Sequence, residues 1–503
     1  MKLLQKVSAL ILLSLALAGA AAEELPAEVR AAVQRAGLSP EEFHAAAVPL
    51  GPGGSGLGWN DRQPVPPASV FKILTTAAAL DRYGPAASWK TVFYAPSGPD
   101  SRGSVGALYI RASGAPWLPV PAFREALLKL RRLGVRSIDG PVVVDRSVFA
   151  EPPVDPSAFD GRPDRPYNQG PDALALALQS LSFTFVPDAA SGQARVIADF
   201  SLAGYSTPAA VALDADAPCP SNIGTALRPR SAGGELRFEG SYPAACGTQV
   251  WSMVPFPEAS ADRFDEALFR SLWSEAGGSW TGRLSTGRIP EGQRELLSLS
   301  SESLADLIKA TNKGSINPMA RSLFLLLSAD EPGGATLRAS RQRLLGRLEG
   351  LGIDTAGLVP DNGSGLSRRT RASARQIALA LAAAYRSPWE PEFLSSLPIA
   401  GLDGTMRRRP VPAGTARIKT GYLSGVRSAA GYVRSRGGIP YALCAVIDSP
   451  RAAAGKPAID AFLAYFASGR ADQEAPRFSA AASASGVSSS GSTSTRPSLE
   501  ITR

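Results

Sequence analysis

The sequence predicts an α+β protein: an antiparallel sheet with helices packed against it, interrupted by a long strand-rich stretch. Three observations predict this. RSAAGYVRS and PYALCAVID read as two neighbouring strands with helical patterns on either side, which suits a hairpin in a helix-covered sheet. Residues 67–83 are apolar on nearly every face beyond the first turn, as in a buried central helix. Between about 91 and 290 the text changes to short alternating or apolar runs punctuated by Gly and Pro, the pattern of strands.

Taken in order, the chain opens with MKLLQKVSALILLSLALAGAAAEE. Lys2 and Lys6 precede an apolar stretch too short to span a bilayer comfortably, and small residues follow. Residues 1–22 therefore read as a signal peptide of an exported protein, periplasmic or associated with the cell wall. No later apolar run reaches 18 residues, so no transmembrane anchor is expected in the mature chain. Residues 39–47, SPEEFHAAA, have an N-cap serine, a proline and two glutamates, and read as a short helix start. His44 falls there as an ordinary helical histidine. The helix over 67–83 is stopped by Gly84 and Pro85.

Residues 91–290 read as a β-rich insertion forming one or two extra domains, with a nested module at about 187–250. ALYIRA, GPVVVD, 174–186 and 194–202 are its strand-like runs, and 122–133 is a helix. Helical patterns return at 303–310, 319–327, 340–351 and 372–385. The hairpin follows, then a helix over 457–466 with proline at its start. Residues 23–90 and 291–470 together form the second, split domain. Residues 471–503 are rich in Ser, Ala and Thr, too poor in large apolar groups to offset their ordering entropy, and read as a disordered tail.

A chain of 503 residues has room for about three domains. With 44% hydrophobic and 19% charged residues, it is neither a wholly disordered chain nor a many-pass membrane protein. The net charge of +9, from 53 basic and 44 acidic residues, is mild. No basic block with interleaved aromatics accompanies it, so no nucleic-acid partner is expected. The single histidine and three cysteines lack metal-site spacing, so no metal is expected. A serine hydrolase with a histidine base could use only His44, so hydrolytic chemistry here is expected to run without histidine. In an oxidising compartment Cys219 and Cys246, both in Gly/Pro/Ser-rich text, are candidates for a disulfide worth roughly 3 kcal/mol. Cys444 lies in an apolar strand and reads as an inert thiol.

The chemistry is carried by three short motifs. Ser69 and Lys72 stand in Ser-x-x-Lys spacing at the start of the central helix, on one helical face. The helix N-terminus favours an oxyanion. Desolvation in an apolar helix lowers a lysine's pKa, so that the neutral amine is available as a base for the serine. Nine of the 53 basic residues are lysines, and this spacing occurs once. Lys419-Thr420-Gly421 precedes the hairpin. On an edge strand it supplies a cation for a carboxylate, a hydroxyl, and a glycine that lets a peptide backbone approach. Ser315-Ile316-Asn317 lies between them, in a polar turn before an apolar helix.

Ser-x-x-Lys, Ser-x-Asn and Lys-Thr-Gly in this order resemble the motif set of penicillin-binding proteins and class A β-lactamases. PASVFKILTTAAALDRYG, GALYIRASGAPWL, GVRSIDGPVVVDRSVF, RPYNQGPDALAL, DNGSGLSR and LPIAGLDGTMRRR resemble one family in particular. It is the D-alanyl-D-alanine carboxypeptidase/endopeptidases, the class C low-molecular-mass penicillin-binding proteins. The resemblance runs from about Val48 to Ala467, and a large insertion between the first and second motifs is that family's own feature. It implies a penicillin-binding/β-lactamase-like transpeptidase fold and cleavage of the terminal D-Ala–D-Ala bond, or of a cross-link, in peptidoglycan stem peptides. Ser69 would be the acylated nucleophile and Lys72 its base. Ser315 and Asn317 would continue the proton relay and hold the substrate amide. Lys419 would bind the terminal carboxylate, with Thr420 and Gly421 lining the docking strand. The Ser69 N–H and one from the strand after Gly421 would form the oxyanion hole. β-Lactams would acylate the same serine as covalent inhibitors, and no cofactor is implied.

This chain departs from the family at Ile316, where relatives carry a polar residue, at Pro318 directly after Asn317, and at Ala115, where Asp is usual. Asp145 is the nearest match to the acidic residue with which some relatives read the free end of the diamino acid. A structural strand-end aspartate is the equal alternative. DNGSG at 361–365 reads as a tight turn, and the arginines at 407–409 as a solvated loop. Two rival functions share the motifs. A β-lactamase has to deacylate quickly, and the insertion and lack of a deacylating glutamate motif argue against it. A non-catalytic cell-wall-binding protein would be expected to lose Ser69 or Lys72.

Overall fold

The computed structural model describes residues 24–220, 222–257 and 260–473. The signal peptide expected at 1–22 lies outside the described residues, as does the expected tail beyond Gln473. Helix α1 (Ala27–Arg35) leads into strands β1 (Phe43–Pro49) and β2 (Leu57–Trp59), and then helix α2 (Lys72–Tyr83). After the insertion come α3 (Leu304–Gly314), α4 (Asn317–Leu326), α5 (Leu337–Gly350), α6 (Ala374–Tyr385) and α7 (Glu390–Ser396). Strands β3 (Ala416–Leu423), β4 (Val426–Arg434) and β5 (Pro440–Asp448) and helix α8 (Lys456–Ala467) complete the fold.

The five strands form one antiparallel sheet in the order β3-β4-β5-β1-β2. Its faces are covered by different helices. Ala442, Cys444 and Val446 of β5 pack with α2 and α6, whereas Tyr441, Leu443, Ala445 and Ile447 pack with α1 and α8. Burial on both faces is why PYALCAVID is a nearly unbroken apolar run rather than an alternating one. The free thiol of Cys444 is fully buried there, and burial pushes its pKa up.

The same covering explains a correction. Residues 39–47 are not a helix start. The capping box at Ser39 and Glu42 forms, but it closes only a single 3-10 turn, Pro40–Glu42. The chain then extends as β1, a strand paired on both edges. Alternate residues Phe43, Ala45 and Ala47 face one core, and Ala46 and Val48 the other. The alanines that suggested helix are there because both covering layers approach closely. His44 is therefore a buried strand histidine, its Nδ1 3.2 Å from the Asn60 carbonyl oxygen.

A second correction concerns the central helix. Residues Ala68–Phe71 form a 3-10 turn and the α-helix begins only at Lys72. Gly84 ends it with φ 74°, a conformation glycine adopts at no steric cost.

The inserted stretch holds its own core, from Phe93 to Leu284. A mixed five-stranded sheet orders Leu284–Thr286, Val142–Asp145, Leu108–Arg111, Lys90–Ala95 and Arg294–Ser300. A second five-stranded sheet is built from Leu181–Asp188, Gln193–Ala198, Ala210–Asp214, Tyr242–Pro243 and Gln249–Met253. Cys219 and Cys246 are joined as a disulfide beside the latter sheet. The helix expected at 122–133 is present as Val120–Arg132, and the insertion contains a second long helix, Ala261–Glu275, in addition. In the second, Phe264, Leu268, Leu272 and Trp273 recur at helical spacing and are buried. Residues 174–186 are not one strand, because a 3-10 turn, Ala177–Gln179, precedes the strand. The two ends of the insertion lie side by side, with the Ser301 N–H donating to the Trp89 carbonyl at 2.9 Å. Among the described residues no helix is long and apolar enough to cross a membrane.

Candidate active site

The site gathers where the turn Ala68–Phe71, the α3–α4 junction and the edge strand β3 meet. Ser69 is half-buried in that turn. The residue before it, Ala68, has φ 51°, a left-handed conformation that costs a residue with a Cβ about 1–3 kcal/mol. The surroundings hold it there. Ser428 Oγ donates to the Pro67 carbonyl oxygen at 2.7 Å. Two glycines give the turn room: a Cβ on Gly365 would lie 1.9 Å from the Ala68 carbonyl oxygen, and one on Gly421 would lie 3.0 Å from Ala68 Cβ.

Lys72 is the hub. Its Nζ lies 3.0 Å from Ser69 Oγ, 2.5 Å from Asn317 Oδ1 and 2.7 Å from the Ser364 carbonyl oxygen. The side chain is fully buried. Burial first, then the positive charges of Lys419 and Arg321, hold its pKa well below that of an ordinary lysine. All three of these hydrogen-bond partners are neutral, so they offset the desolvation cost of an ammonium only in part, and the balance moves toward the amine relative to an ordinary lysine. A neutral amine within hydrogen-bond reach of a hydroxyl is the pairing needed to activate a serine without histidine.

Ser315 caps the C-terminal end of α3 with φ 56°, and Asn317 is the first residue of α4. This reversal between two helices turns both side chains toward the lysines. Pro318 sits in the first turn of α4, where its missing N–H breaks no helical hydrogen bond. Lys419 on the edge strand is also fully buried. Its Nζ donates to Ser315 Oγ at 2.9 Å and to the Thr420 carbonyl oxygen at 2.8 Å. Burial pushes its pKa down to about 7. Thr420 Oγ1 donates to Thr405 Oγ1 at 2.8 Å, which ties the loop before β3 to the strand. Gly421 follows, packed against Ser428 and Pro67. The six residues Ser69, Lys72, Ser315, Asn317, Lys419 and Thr420 thus form two lysine-centred clusters, near enough for the charge of Lys419 to act on Lys72, a constellation suited to acyl transfer to a serine.

Several contributors had no sequence signal of their own. The Ser364 carbonyl lies within DNGSG, which is indeed a turn; Gly363 and Gly365 have φ of 74° and 76°, and the pair of glycines marks its close approach to the site. Asp361 in that segment is bound by Arg341 at 3.0 Å and Arg369 at 2.7 Å. Tyr167 belongs to the insertion, yet its carbonyl oxygen accepts from Asn317 Nδ2 at 3.0 Å. Backbone carbonyls can come from any residue type, so sequence cannot mark them.

Other singled-out residues lie apart from these partners. Asp145 ends its strand and accepts from the N–H groups of Ser147 at 3.0 Å and Ile289 at 3.4 Å. It lines a cleft of about 860 Å³ with Arg146, Asp172 and Gln169. The arginines at 407–409 are not wholly solvated: Arg409 folds back to pair with Asp460 at 2.7 Å.

Residues 40–467 match the D-Ala-D-Ala carboxypeptidase 3 (S13) family. A D-alanyl-D-alanine carboxypeptidase of Actinomadura sp. (strain R39) is 30% identical over 390 residues, covering 73% of this chain and 70% of that protein. The D-alanyl-D-alanine carboxypeptidase DacB of Haemophilus influenzae is 23% identical over 400 residues, covering 74% of this chain and 78% of its own. The crystal structure of penicillin binding protein 4 (dacB) from Haemophilus influenzae superposes with a TM-score of 0.66 at 19% identity, over 88% of this chain and all of that one. That likeness shows the fold, an antiparallel sheet with flanking helices of the penicillin-binding type.

Proposed function

The chain belongs to the D-Ala-D-Ala carboxypeptidase 3 (S13) family, and from that premise we propose that it is an exported serine-type D-alanyl-D-alanine carboxypeptidase acting on peptidoglycan stem peptides. The observation that carries the mechanism is the buried Lys72, 3.0 Å from Ser69 Oγ and, among the described residues, bonded otherwise only to neutral oxygens. Neutral Lys72 takes the Ser69 proton as Oγ attacks the carbonyl carbon of the penultimate D-Ala. The oxyanion is received by the Ser69 N–H and an N–H of the strand after Gly421. The peptide C–N bond then breaks, and the departing D-Ala amine takes the proton that Lys72 removed from Ser69; Ser315, held by Lys419 at 2.9 Å, would serve as a relay once substrate fills the site. Water attacks the resulting ester with Lys72 as base, releasing the shortened peptide and restoring Ser69. Lys419 in its charged form binds the terminal carboxylate of the substrate, and β3 docks the peptide, with Thr420 and Gly421 lining it. A β-lactam enters the same way, but its ring-opened leaving group stays attached, so the ester is slow to clear.

Fluorescent penicillin followed over hours on wild type and Ser69→Ala tests this reading. Stable label on the wild type that is absent from the folded variant is the expected result. Label that vanishes within seconds would identify a β-lactamase instead, and no label on folded wild type would leave only wall binding.

A further inference from the structure

Arg321 lies one helical turn after Asn317 on α4 and is 6% exposed. Its Nη1 donates to the carbonyl oxygens of Asn168, at 2.9 Å, and Gln169. Both carbonyls belong to residues 165–169 of the insertion, the segment whose Tyr167 carbonyl receives the Asn317 amide. Among the described residues no carboxylate pairs with this guanidinium, and Asp361, the acidic group that attracts it, is occupied by Arg341 and Arg369. A buried cation held only by backbone carbonyls is an expensive way to pack a helix. A methionine would fill the space without that cost, which points to a use for the charge and the clasp.

We propose that Arg321 is a positioning residue that clamps segment 165–169 of the insertion to α4, and so orients the Asn317 side chain on Lys72. The ring closes through α4: Arg321 grips the carbonyls of Asn168 and Gln169, Tyr167 next to them takes Asn317 Nδ2, and Asn317, one helical turn before Arg321, offers its Oδ1 to Lys72 Nζ. The insertion is then a working part of the site and not only a neighbour. Arg321 has a second effect through space, since its charge disfavours protonation of Lys72.

The inference rests on acylation of Ser69, so that labelling of wild type and its loss in Ser69→Ala are established first; failure there overturns the proposed function. The test of Arg321 is the rate of fluorescent-penicillin acylation against pH. Arg321→Met is expected to slow acylation by about 10- to 100-fold through misplacement. Its acid limb should move to higher pH, because Lys72 becomes easier to protonate. Arg321→Lys, which keeps the charge but not the two-carbonyl clasp, should slow acylation while leaving the limb near that of wild type. On the pH-independent plateau, where the charge effect on Lys72 no longer counts, the Met substitution in an Asn317→Ala background should add no more than about twofold. A folded Met variant with wild-type rate and pH limb, or a loss fully additive with Asn317→Ala, overturns the proposal. If the Met variant does not fold, Arg321→Lys alone and in the Asn317→Ala background decides: a wild-type rate or additivity overturns it, and slowing that vanishes in that background supports it.

Discussion

At the residue scale the two buried lysines divide the work by their protonation. Among the described residues neither has a carboxylate as a hydrogen-bond partner, and burial lowers the pKa of both. Lys72 is useful when neutral, so acylation rises as pH climbs through its folded pKa. Lys419 is useful when charged, so binding of a terminal carboxylate weakens in the free enzyme as pH rises through about 7. The sign follows from the depression itself: an ordinary lysine would stay charged to about pH 10, whereas this one loses its proton near neutrality. A bell-shaped kcat/KM profile is expected for D-Ala-D-Ala peptides. The corresponding C-terminal amide, measured beside it, should be a poorer substrate by about 10- to 100-fold at pH 6, the worth of one charge-assisted hydrogen bond. It should also lack the alkaline fall. Equal profiles for acid and amide would remove Lys419 from carboxylate binding.

At the element scale the site depends on how closely β3 approaches the turn carrying Ser69. Gly421 permits this approach, because a Cβ there would meet Ser428 Oγ at 2.1 Å and the Pro67 carbonyl oxygen at 2.9 Å. Gly421→Ala has to push the strand from the turn or displace Ser428, which itself holds Pro67. Overpacking of this kind costs about 1–3 kcal/mol, and the displaced strand should also slow acylation. Denaturant unfolding and penicillin labelling check both halves; an alanine variant with unchanged stability and rate would mean that the approach is looser than the geometry describes. The elements also show where sequence reading succeeds. The apolar patterns of α2, α4 and α6 and the strands β4 and β5 were legible because hydrophobic periodicity reports burial directly. FHAAAV is ambiguous because alanine suits both a helix and the crowded centre of a sheet covered on both faces, and the helical period of Ala261–Glu275 stands between strand-like runs whose alternation suggests a continuous β-rich stretch.

On the scale of the whole molecule, the insertion and the sheet-bearing part have separate cores yet share the site through Tyr167, Asn168 and Gln169. The Cys219–Cys246 disulfide, with a sequence separation of 27, braces the insertion. Replacing both cysteines with alanine should lower stability by roughly 3 kcal/mol, the chain entropy restored to the unfolded state. Urea unfolding of the oxidised protein and the double variant measures this, and a difference under about 0.5 kcal/mol would show the loop to be held by its sheet alone.

Read along the chain, the residues already stated the fold class, the three motifs and the chemistry they resemble. Such features depend on local pattern, on side-chain type and on short spacing, all of which are written in the sequence. Folding disclosed the rest: that Ser69 precedes the α-helix instead of opening it, that a turn carbonyl at Ser364 completes the Lys72 cluster, and that the insertion reaches Asn317 through Arg321 and a backbone carbonyl. Peptide carbonyls are the same in every residue, and the depression of a lysine's pKa depends on how much water its neighbours exclude. Both are properties of three-dimensional packing between segments more than a hundred residues apart, as the sequence separations of 245 and 150 in the Lys72–Asn317 and Asn317–Tyr167 contacts attest.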